Sequence, residues 1–275
     1  MKTIILGKKS YLSNKLKKVI INSKVYSLNE DFVKKLDLSN CNIIINSFYS
    51  SLKLDKIDSY QNFIKRSLYD LSIFLDRIKG KNVRKIIYTS SSSTYNLLKF
   101  SNFNNINFRD ERNRYIYSST KLNAESLIKN FCTENNIKFC VVRIFNIFGE
   151  GEKFSIISKI TDAYKNKKKI LNLVNNGNSI RDFIHINEVV NIYKKIIIKN
   201  NYNVVDVASG YGTRIRDIIK FLGKENFIIK NKTNKESKVS IGYNSIINRN
   251  EKYSLEKYIK QKLSLKKQPK FERFL

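Results

Sequence analysis

Short, nearly continuous apolar runs alternate along the chain with longer stretches in which apolar residues recur at helical spacing. The runs predict strands buried on both faces, and the longer stretches predict amphipathic helices. This alternation is typical of an α/β fold with a doubly wound parallel sheet. The predicted strands cover residues 3–7, 24–29, 41–47, 85–89 and 139–145, with a last one from 204. The predicted helices cover residues 8–20, 59–78, 114–128, 154–167, 214–222 and 254–263, and residues 175–190 are predicted to contain a turn, a short strand and a helix start.

Length and hydrophobic content fit one large domain, or one domain with a small appendage. The chain has 275 residues, of which 41% are hydrophobic, and this is enough to build a core. No apolar stretch approaches the length of about 18 to 20 residues that crosses a bilayer. The first seven residues are typical of a strand rather than a signal peptide. We therefore predict a soluble, cytoplasmic protein without a membrane span.

Charge and rare residue types exclude several classes of function. The formal net charge is +30, but the lysines are spread along the whole chain and form no separate basic block. This argues against nucleic-acid binding as the main function and is equally compatible with an anionic small substrate. Cys41, Cys132 and Cys140 lack metal-ligand spacing, and we predict that they are small buried residues. His185 is the only histidine, so no metal site is predicted, and its strand-like surroundings indicate a structural role.

Tyr117 and Lys121 are the first candidates for catalytic chemistry. They stand four residues apart, so on a helix the phenol and the ammonium share one face. A positive charge at that distance would lower the pKa of the phenol and make it a usable acid and base near neutral pH. Seven tyrosines have a lysine four positions later. Only Tyr117 lies between an apolar run that ends in hydroxyls, 85–93, and a second apolar run, 139–145.

The turn after the first predicted strand has the position of a dinucleotide pyrophosphate site. Gly7, Ser10 and Ser13 have the spacing of a glycine-rich loop that opens a helix, whose amides bind phosphate. Serine is small enough for close approach, but its Cβ disfavours positive φ. After the second predicted strand, Asn29 occupies the place where an acidic residue would bind the ribose of NAD. The preference between NAD and NADP therefore stays open.

Six segments follow one another over residues 1–222: they are Ile4–Gly7, Tyr88–Tyr95, Tyr117–Lys121, Val142–Gly149, Arg181–Glu188 and Val207–Gly210. Taken together, they resemble the extended short-chain dehydrogenases/reductases, within the family of nucleotide-sugar epimerases and dehydratases. They run in the order found in that family, and Arg181–Glu188 is the most specific of them. The resemblance implies a Rossmann-type sheet in a dinucleotide-binding domain, residues 1–150 together with about 182–222. Residues 151–181 and 223–275 would form a small substrate-binding lobe.

The resemblance also implies a role for each matched position. Tyr117 would be the acid/base, Lys121 would hold the nicotinamide ribose, and Ser91 would hydrogen-bond the reacting sugar oxygen. Ser90 and Ser92 are the alternatives if the register shifts. The implied cofactor-binding residues are Gly7, Ser10, Tyr11, Leu12, Asn29, Ser47 and Lys121, with Ser13 also beside the pyrophosphate. The implied substrate-binding residues are Ser92, Asn146 and Arg181, whose guanidinium fork suits a diphosphate.

The implied activity is hydride transfer with NAD, or NADP, on a nucleotide-diphosphate sugar, in a homodimer. Dehydratases of the family carry Asp-Glu after the catalytic threonine, whereas Ser92 and Ser93 follow Ser91 here, which disfavours dehydration. Epimerases of the fucose-synthase type use a cysteine and a histidine, and neither Cys132 nor Cys140 falls in that place. We predict an epimerase acting through a 4-keto intermediate. The alternatives are an NAD(P)H-dependent reductase of a 4-keto nucleotide sugar and a non-catalytic nucleotide-sugar-binding relative.

Overall fold

The structure is a computed structural model that describes residues 2–28, 31, 33–34, 36–46, 57–98, 108–199, 202–223, 227–232, 237–243 and 253–264. Asn29 and Ser47, two of the predicted cofactor-binding residues, lie outside the described residues. Within the described ranges, no helix has both the length and the apolar character needed to span a membrane. In the same ranges, the His, Cys, Asp and Glu side chains form no group of three that could hold a metal ion.

A six-stranded parallel sheet forms the centre of the molecule, in the order β2-β1-β3-β4-β5-β9. Its strands are β1 (Thr3–Leu6), β2 (Ser23–Tyr26), β3 (Asn42–Ile45), β4 (Lys85–Ser91), β5 (Lys138–Ile144) and β9 (Val204–Val207). The chain passes from β1 to β2 on one side and then returns to β3 on the other. Ligands bind beyond the carboxyl ends of parallel strands at such a switch point. The predicted Rossmann-type α/β fold is confirmed.

Helices cover both faces of this sheet, and other helices pack beside the smaller sheets. In chain order they are α1 (Tyr11–Val19), α2 (Ile57–Ile64), α3 (Asp70–Ile78), α4 (Thr94–Leu98), α5 (Phe108–Glu134), α6 (Ile156–Lys165), α7 (Ile186–Ile198), α8 (Ile215–Lys220) and α9 (Leu255–Ser264). A π-helical segment, Lys65–Tyr69, joins α2 to α3 and packs against α5. The predicted helix around Tyr117 is therefore correct in kind, but its 27 residues extend well beyond 114–128 at both ends.

Smaller sheets lie outside the central one. In the first of them β8 (Ile180–His185) pairs with β6 (Asn146–Phe148), β10 (Gly212–Arg214) and β12 (Val239–Ser240). The second contains β7 (Ile170–Val174) and β11 (Ile228–Lys232). A 3₁₀ turn, Asn175–Gly177, follows β7. Because β6 begins directly after β5, the first small sheet continues from the carboxyl edge of the central sheet.

Three hydrophobic clusters hold these layers together. Neighbouring residues of β1 face opposite sides, so Ile4 packs against α3 and α5 whereas Ile5 packs against α1 and α7. The third cluster joins α6, β7, α8 and α9, with Ile160 and Ile218 fully buried inside it. This cluster combines residues from both predicted domains. The proposed division between a dinucleotide-binding domain and a substrate lobe stays a prediction.

Candidate active site

Ser91 and Tyr117 meet at the carboxyl end of β4. Ser91 is the last residue of that strand, and its hydroxyl lies beside the phenol of Tyr117 on α5, where it lowers the pKa of the phenol. Ser90, one residue earlier, points to a different part of α5 and donates to Glu125 instead. Ser92 donates its backbone N–H to the Ile144 carbonyl at 3.0 Å. Of the three serines considered for this role, Ser91 is therefore the one in contact with Tyr117.

Lys121 lies one turn after Tyr117 on the same face of α5. Its side chain is buried, with 3% of its surface exposed, and its Nζ lies 5.9 Å from the centre of the Tyr117 ring. The ammonium donates a hydrogen bond to the Thr89 carbonyl at 2.9 Å. The backbone of β4 thus holds Lys121, just as the end of β4 holds Tyr117 through Ser91. The three predicted catalytic residues form one contact group.

The prediction that Lys121 lowers the pKa of the Tyr117 phenol below its ordinary value is wrong in this structure. Burial raises the pKa of Tyr117 above its ordinary value, and the hydrogen bond from Ser91 opposes this only in part. Burial also lowers the pKa of Lys121 well below its ordinary value. Removal from water disfavours the charged form of each group. Spacing along the helix predicted the proximity of the pair, but not how deeply the pair is buried.

The Tyr117 ring packs against the α2 helix. Its centre lies 6.2 Å from that of Phe63, which is fully buried. The Tyr60 hydroxyl, also on α2, donates to the Asn113 side chain at 2.5 Å and so ties α2 to the turn of α5 before Tyr117. Tyr117 itself remains only partly covered. The ring is thus fixed on one side and accessible from another, as a residue that contacts a substrate must be.

The predicted pyrophosphate loop fits a dinucleotide. Gly7 has φ 117°, a conformation that favours glycine, whereas Ser10 has φ −74° and Ser13 lies within α1. The loop therefore keeps glycine at the one position that requires it. The Ser10 hydroxyl caps α1 by accepting from the Ser13 amide at 3.3 Å. The structure gives the amides of Tyr11 and Leu12 no acceptor among the residues it describes, so both are available to phosphate oxygens.

The side chain of Ser13 is turned into the protein and away from the loop. It is fully buried, and its hydroxyl accepts from the amide of Asn46, which follows β3, at 3.1 Å. Tyr11 makes a second link, because its hydroxyl donates to the Glu150 carbonyl at 2.9 Å. The start of α1 is thus fixed to the ends of both β3 and β6. Serine at the third position of the motif strengthens this turn without filling the space in front of it.

The predicted substrate-binding residues lie along the same edge of the sheet. Asn146 begins β6, two residues after Ile144, which pairs with Ser91 in the parallel register. Its side-chain amide donates to the Asp182 carbonyl at 2.9 Å. Arg181 lies on β8 and donates to the Ile180 carbonyl at 2.8 Å. Asn146 therefore follows the strand that pairs with the end of β4 at Ser91, and Arg181 lies on β8, the strand that pairs with β6.

Asp182 fixes the strand that carries Arg181. Its carboxylate accepts hydrogen bonds from the amide and hydroxyl of Ser209, each at 2.7 Å, and from the amide of Gly210 at 2.8 Å. A fourth donor, the Gly242 amide, lies at 3.3 Å. One buried carboxylate therefore joins β8 to the loop after β9 and to the segment after β12.

His185 makes structural contacts. It caps α7, with its Nδ1 accepting from the Asn187 amide at 3.2 Å and its own amide donating to Glu188 at 3.3 Å. Its ring stacks on Tyr253, with centres 4.6 Å apart, and its Nε2 lies 3.5 Å from the Glu150 carboxylate. Burial lowers the pKa of His185 despite that carboxylate.

Sequence reasoning missed three residues around the site. Ser93 donates from its amide and its hydroxyl to the Ser91 hydroxyl, at 3.2 Å and 3.1 Å. Glu125 lies one further turn along the face of Tyr117 and Lys121, a spacing that the sequence already contained. Asp182 could have been noticed beside Arg181, but its partners come from distant segments that no local pattern connects.

Known proteins resemble this chain in sequence and in fold. Protein CapI of Staphylococcus aureus is 26% identical over 147 residues, which cover 52% of this chain and 42% of CapI. The aligned part is thus less than half of that relative's length. The UDP-N-acetylglucosamine 4-epimerase of Methanobrevibacter ruminantium M1, solved with UDP-N-acetylmuramic acid, superposes with a TM-score of 0.77 at 15% identity, covering 96% of this chain and 97% of the epimerase.

A second solved structure is the UDP-glucuronic acid 4-epimerase of Bacillus cereus, in complex with UDP-glucuronic acid and NAD. Its TM-score is 0.74 at 15% identity, over 94% of this chain and 96% of that protein. Both structural matches show the fold. The model of the NAD dependent epimerase/dehydratase family matches residues 8–208, which include the pyrophosphate loop from Ser10 onward, the Tyr117–Lys121 pair and the Arg181 strand. The chain belongs to the NAD dependent epimerase/dehydratase family.

Proposed function

We propose that the protein is an NAD(P)-dependent epimerase of a nucleotide-activated sugar that acts through a 4-keto intermediate. The observation that carries the proposal is that Ser91, Tyr117 and Lys121 come together at the end of β4, with the Lys121 Nζ 5.9 Å from the centre of the Tyr117 ring. These side chains lie at the carboxyl end of β4, two strands from the loop that opens α1. Family membership and the fold of two 4-epimerases support the same reaction.

Each side chain of the contact group has a distinct part in the proposed reaction. The Tyr117 oxygen takes the proton of the sugar 4-hydroxyl and later returns it, while Ser91 hydrogen-bonds that same sugar oxygen. Lys121, whose ammonium donates to the Thr89 carbonyl, would hold the nicotinamide ribose through its charged N–H donors. Bound NAD(P) supplies the hydride acceptor and donor.

The cofactor and the substrate would bind at opposite ends of the site, the cofactor at the loop before α1 and the substrate near β6 and β8. The amides of Tyr11 and Leu12, beside Gly7 and Ser10, would bind the pyrophosphate of the cofactor. Ser92 and Asn146 would contact the sugar, and Arg181 would bind its diphosphate. Asp182 supports this last role because its hydrogen bonds to Ser209, Gly210 and Gly242 hold the strand that carries Arg181 in place. Residues 151–181 and 223–275 would form the small substrate-binding lobe.

The cofactor content of the purified protein separates the epimerase from the reductase. Freshly purified protein is denatured and any released dinucleotide is identified and quantified. An epimerase regenerates its cofactor in each turnover, so near-stoichiometric NAD is expected. Protein that is empty, but binds NADPH or NADH in a titration and oxidises it with a 4-keto nucleotide sugar, would instead be the reductase.

Replacement of Tyr117 by Phe separates catalysis from binding. The variant removes only the phenol oxygen, so interconversion of UDP-sugars, followed by NMR, should fall by about 10²- to 10⁴-fold while cofactor binding is kept. Tyr115→Phe, two residues earlier on α5, is the matched control and should keep wild-type turnover. Equal turnover in Tyr117→Phe and wild type would contradict the assignment of the acid/base.

A further inference from the structure

Glu125 continues the helix face that carries the catalytic pair. It lies four residues after Lys121 and eight after Tyr117, so the three side chains follow one another along α5 at successive turns. Glu125 is buried, with 6% of its surface exposed. A carboxylate at this depth requires partners, because an unpaired buried charge is costly.

Two neighbouring strands provide those partners. Arg143, on β5, donates from Nε to one carboxylate oxygen of Glu125 at 3.1 Å and from Nη2 to the other at 2.6 Å. Ser90, on β4, donates to the first of these oxygens. The Ser90 bond is next to Ser91, the residue in contact with Tyr117. Glu125 therefore connects α5 to β4 and β5 directly behind the proposed catalytic group.

The network continues beyond Arg143. Its guanidinium lies 4.6 Å from the centre of the Tyr95 ring, and the Tyr95 hydroxyl donates to the Asp206 carboxylate on β9 at 2.7 Å. Charges of opposite sign thus alternate from Lys121 through Glu125 and Arg143 to Asp206. Arg143 neutralises part of the Glu125 charge, and so limits the effect of Glu125 on its other cationic neighbour, Lys121.

Within the part of the chain that the structure describes, the contacts that define the surroundings of Lys121 include groups from two elements. Its own helix contributes Tyr117 and Glu125, and β4 contributes the Thr89 carbonyl and the Tyr88 ring, whose centre lies 5.4 Å from Nζ. Arg143 of β5 acts through Glu125. Burial lowers the pKa of Lys121, and the Glu125 carboxylate opposes that effect. Among these side chains, Glu125 is the acidic group on the same helix face as Lys121.

We propose that Glu125 is a positioning residue of the active site, whose carboxylate one turn after Lys121 favours the ammonium form of that lysine and, through Ser90 and Arg143, fixes the helix face of Tyr117 against β4. The inference rests on the proposed function, in which the Lys121 ammonium assists the reaction. Glu125 and Arg143, which form an ion pair with each other, should shift the pKa of Lys121 in opposite directions. Glu125 favours the protonated form of Lys121, whereas Arg143 weakens that influence.

The pH profile of turnover tests these opposite effects. Turnover should decline at high pH as Lys121 loses its proton. In Glu125→Gln this alkaline limb should move to lower pH by about 1 unit, because the nearby negative charge is gone. In Arg143→Gln the limb should move to higher pH, because Glu125 then acts more fully on Lys121. Glu134→Gln, an exposed charge at the end of α5, should leave the limb in place.

A purely structural role would give a different result. Both substitutions would then reduce turnover without displacing the alkaline limb, or would displace it in the same direction, and either result would overturn the proposal. Should Glu125→Gln fail to fold, Arg143→Gln and the double variant Glu125→Gln/Arg143→Gln remain. The double variant removes the ion pair as a whole and should show a limb at lower pH than Arg143→Gln does.

A titration that needs no turnover separates this proposal from the proposed function. Protein labelled with ¹³C at the lysine ε carbon is titrated by NMR, with the Lys121 signal assigned from Lys121→Arg. The midpoint for Lys121 should fall in Glu125→Gln and rise in Arg143→Gln. Unchanged midpoints would refute the role of Glu125 even in an active enzyme. Shifted midpoints in a protein without sugar turnover would refute the proposed function and leave the effect of Glu125 on Lys121 established.

Discussion

Asp182 has no exposed surface, yet its carboxylate accepts four hydrogen bonds from two separate segments of chain. Replacing Asp182 by Asn turns one oxygen into a donor that faces other donors. We expect the free energy of unfolding to fall by about 2 to 4 kcal/mol, since each unsatisfied buried group costs about 1 to 3 kcal/mol. Urea denaturation followed by circular dichroism measures the change.

The control for Asp182 is Asp217→Asn on α8. Asp217 pairs with Lys220 at 2.8 Å near the surface, so its loss should change the free energy of unfolding by about 0.5 kcal/mol or less. Similar losses in the two variants would show that the hydrogen bonds of Asp182 add nothing beyond those of an exposed carboxylate.

At the same residue scale, the sequence predicted which side chains meet but not how they ionise. Tyr117 and Lys121 were predictable because helical periodicity brings residues four apart together. Their burial depends on β4 and on Phe63, which lies far away in sequence, so the direction of the Tyr117 pKa shift was not visible. The φ angle of Ser10 likewise became known only in three dimensions.

Among the elements, α7 has its last backbone carbonyls capped by a lysine from the central sheet. Lys85 is fully buried at the start of β4, and its ammonium donates to the Ile196 carbonyl at 2.7 Å and the Lys199 carbonyl at 2.5 Å. Lys85→Met keeps the length of the side chain and removes these charge-assisted bonds. The free energy of unfolding at pH 7 should fall by about 1.5 to 3 kcal/mol, measured by chemical denaturation.

The pH dependence of stability gives a second test of Lys85. Burial lowers its pKa in the folded protein, so between that pKa and about 10.5 the unfolded chain binds more protons. Stability of the wild type should therefore gain a contribution as pH rises through this range, and Lys85→Met should lack it. Lys138→Met is the matched control, because exposed Lys138 pairs with Lys85 in the β4–β5 register. The same pH dependence in both variants would contradict this account.

The type of each helix or strand could be predicted from apolar periodicity. Some of the residues at which they begin or end, and some of the strand pairings, could not. The predicted strand 24–29 ends at Tyr26, and the predicted helix 114–128 is only the middle of α5. Helix length is set by packing against α2 and the π-helical segment, which local pattern does not encode. The position of β3 beside β1 likewise depends on contacts between distant segments.

At the scale of the whole molecule, the three cysteine thiols are buried in the two hydrophobic clusters that lie on opposite faces of the central sheet. Cys41 and Cys132 lie in one cluster and Cys140 in the other, each fully buried. Burial raises the pKa of Cys41 to about 11 and those of Cys132 and Cys140 to about 12. At pH 8 the native protein should therefore react with a thiol reagent far more slowly than the denatured chain, in which three thiols react at once.

The relative labelling rates of the thiols show whether the helical layers on the two faces of the sheet unfold together or separately. If the sheet and its two helical layers unfold together, all three cysteines should be labelled at one common rate, measured by mass spectrometry after proteolysis. Faster labelling of Cys140 than of the other two would show that α1 and α7 leave the sheet separately. Variants with Asp182 or Lys85 replaced should accelerate all three rates together.

The bond between Ser13 and Asn46 restricts how this chain can change over evolutionary time. A glycine at position 13 would leave the nearly buried Asn46 amide without its acceptor, at a cost of about 1 to 3 kcal/mol. Replacing Asn46 first would leave the serine hydroxyl without its donor. Return to a glycine-rich loop therefore requires two coordinated substitutions, and a lineage that acquires this pair is expected to retain it.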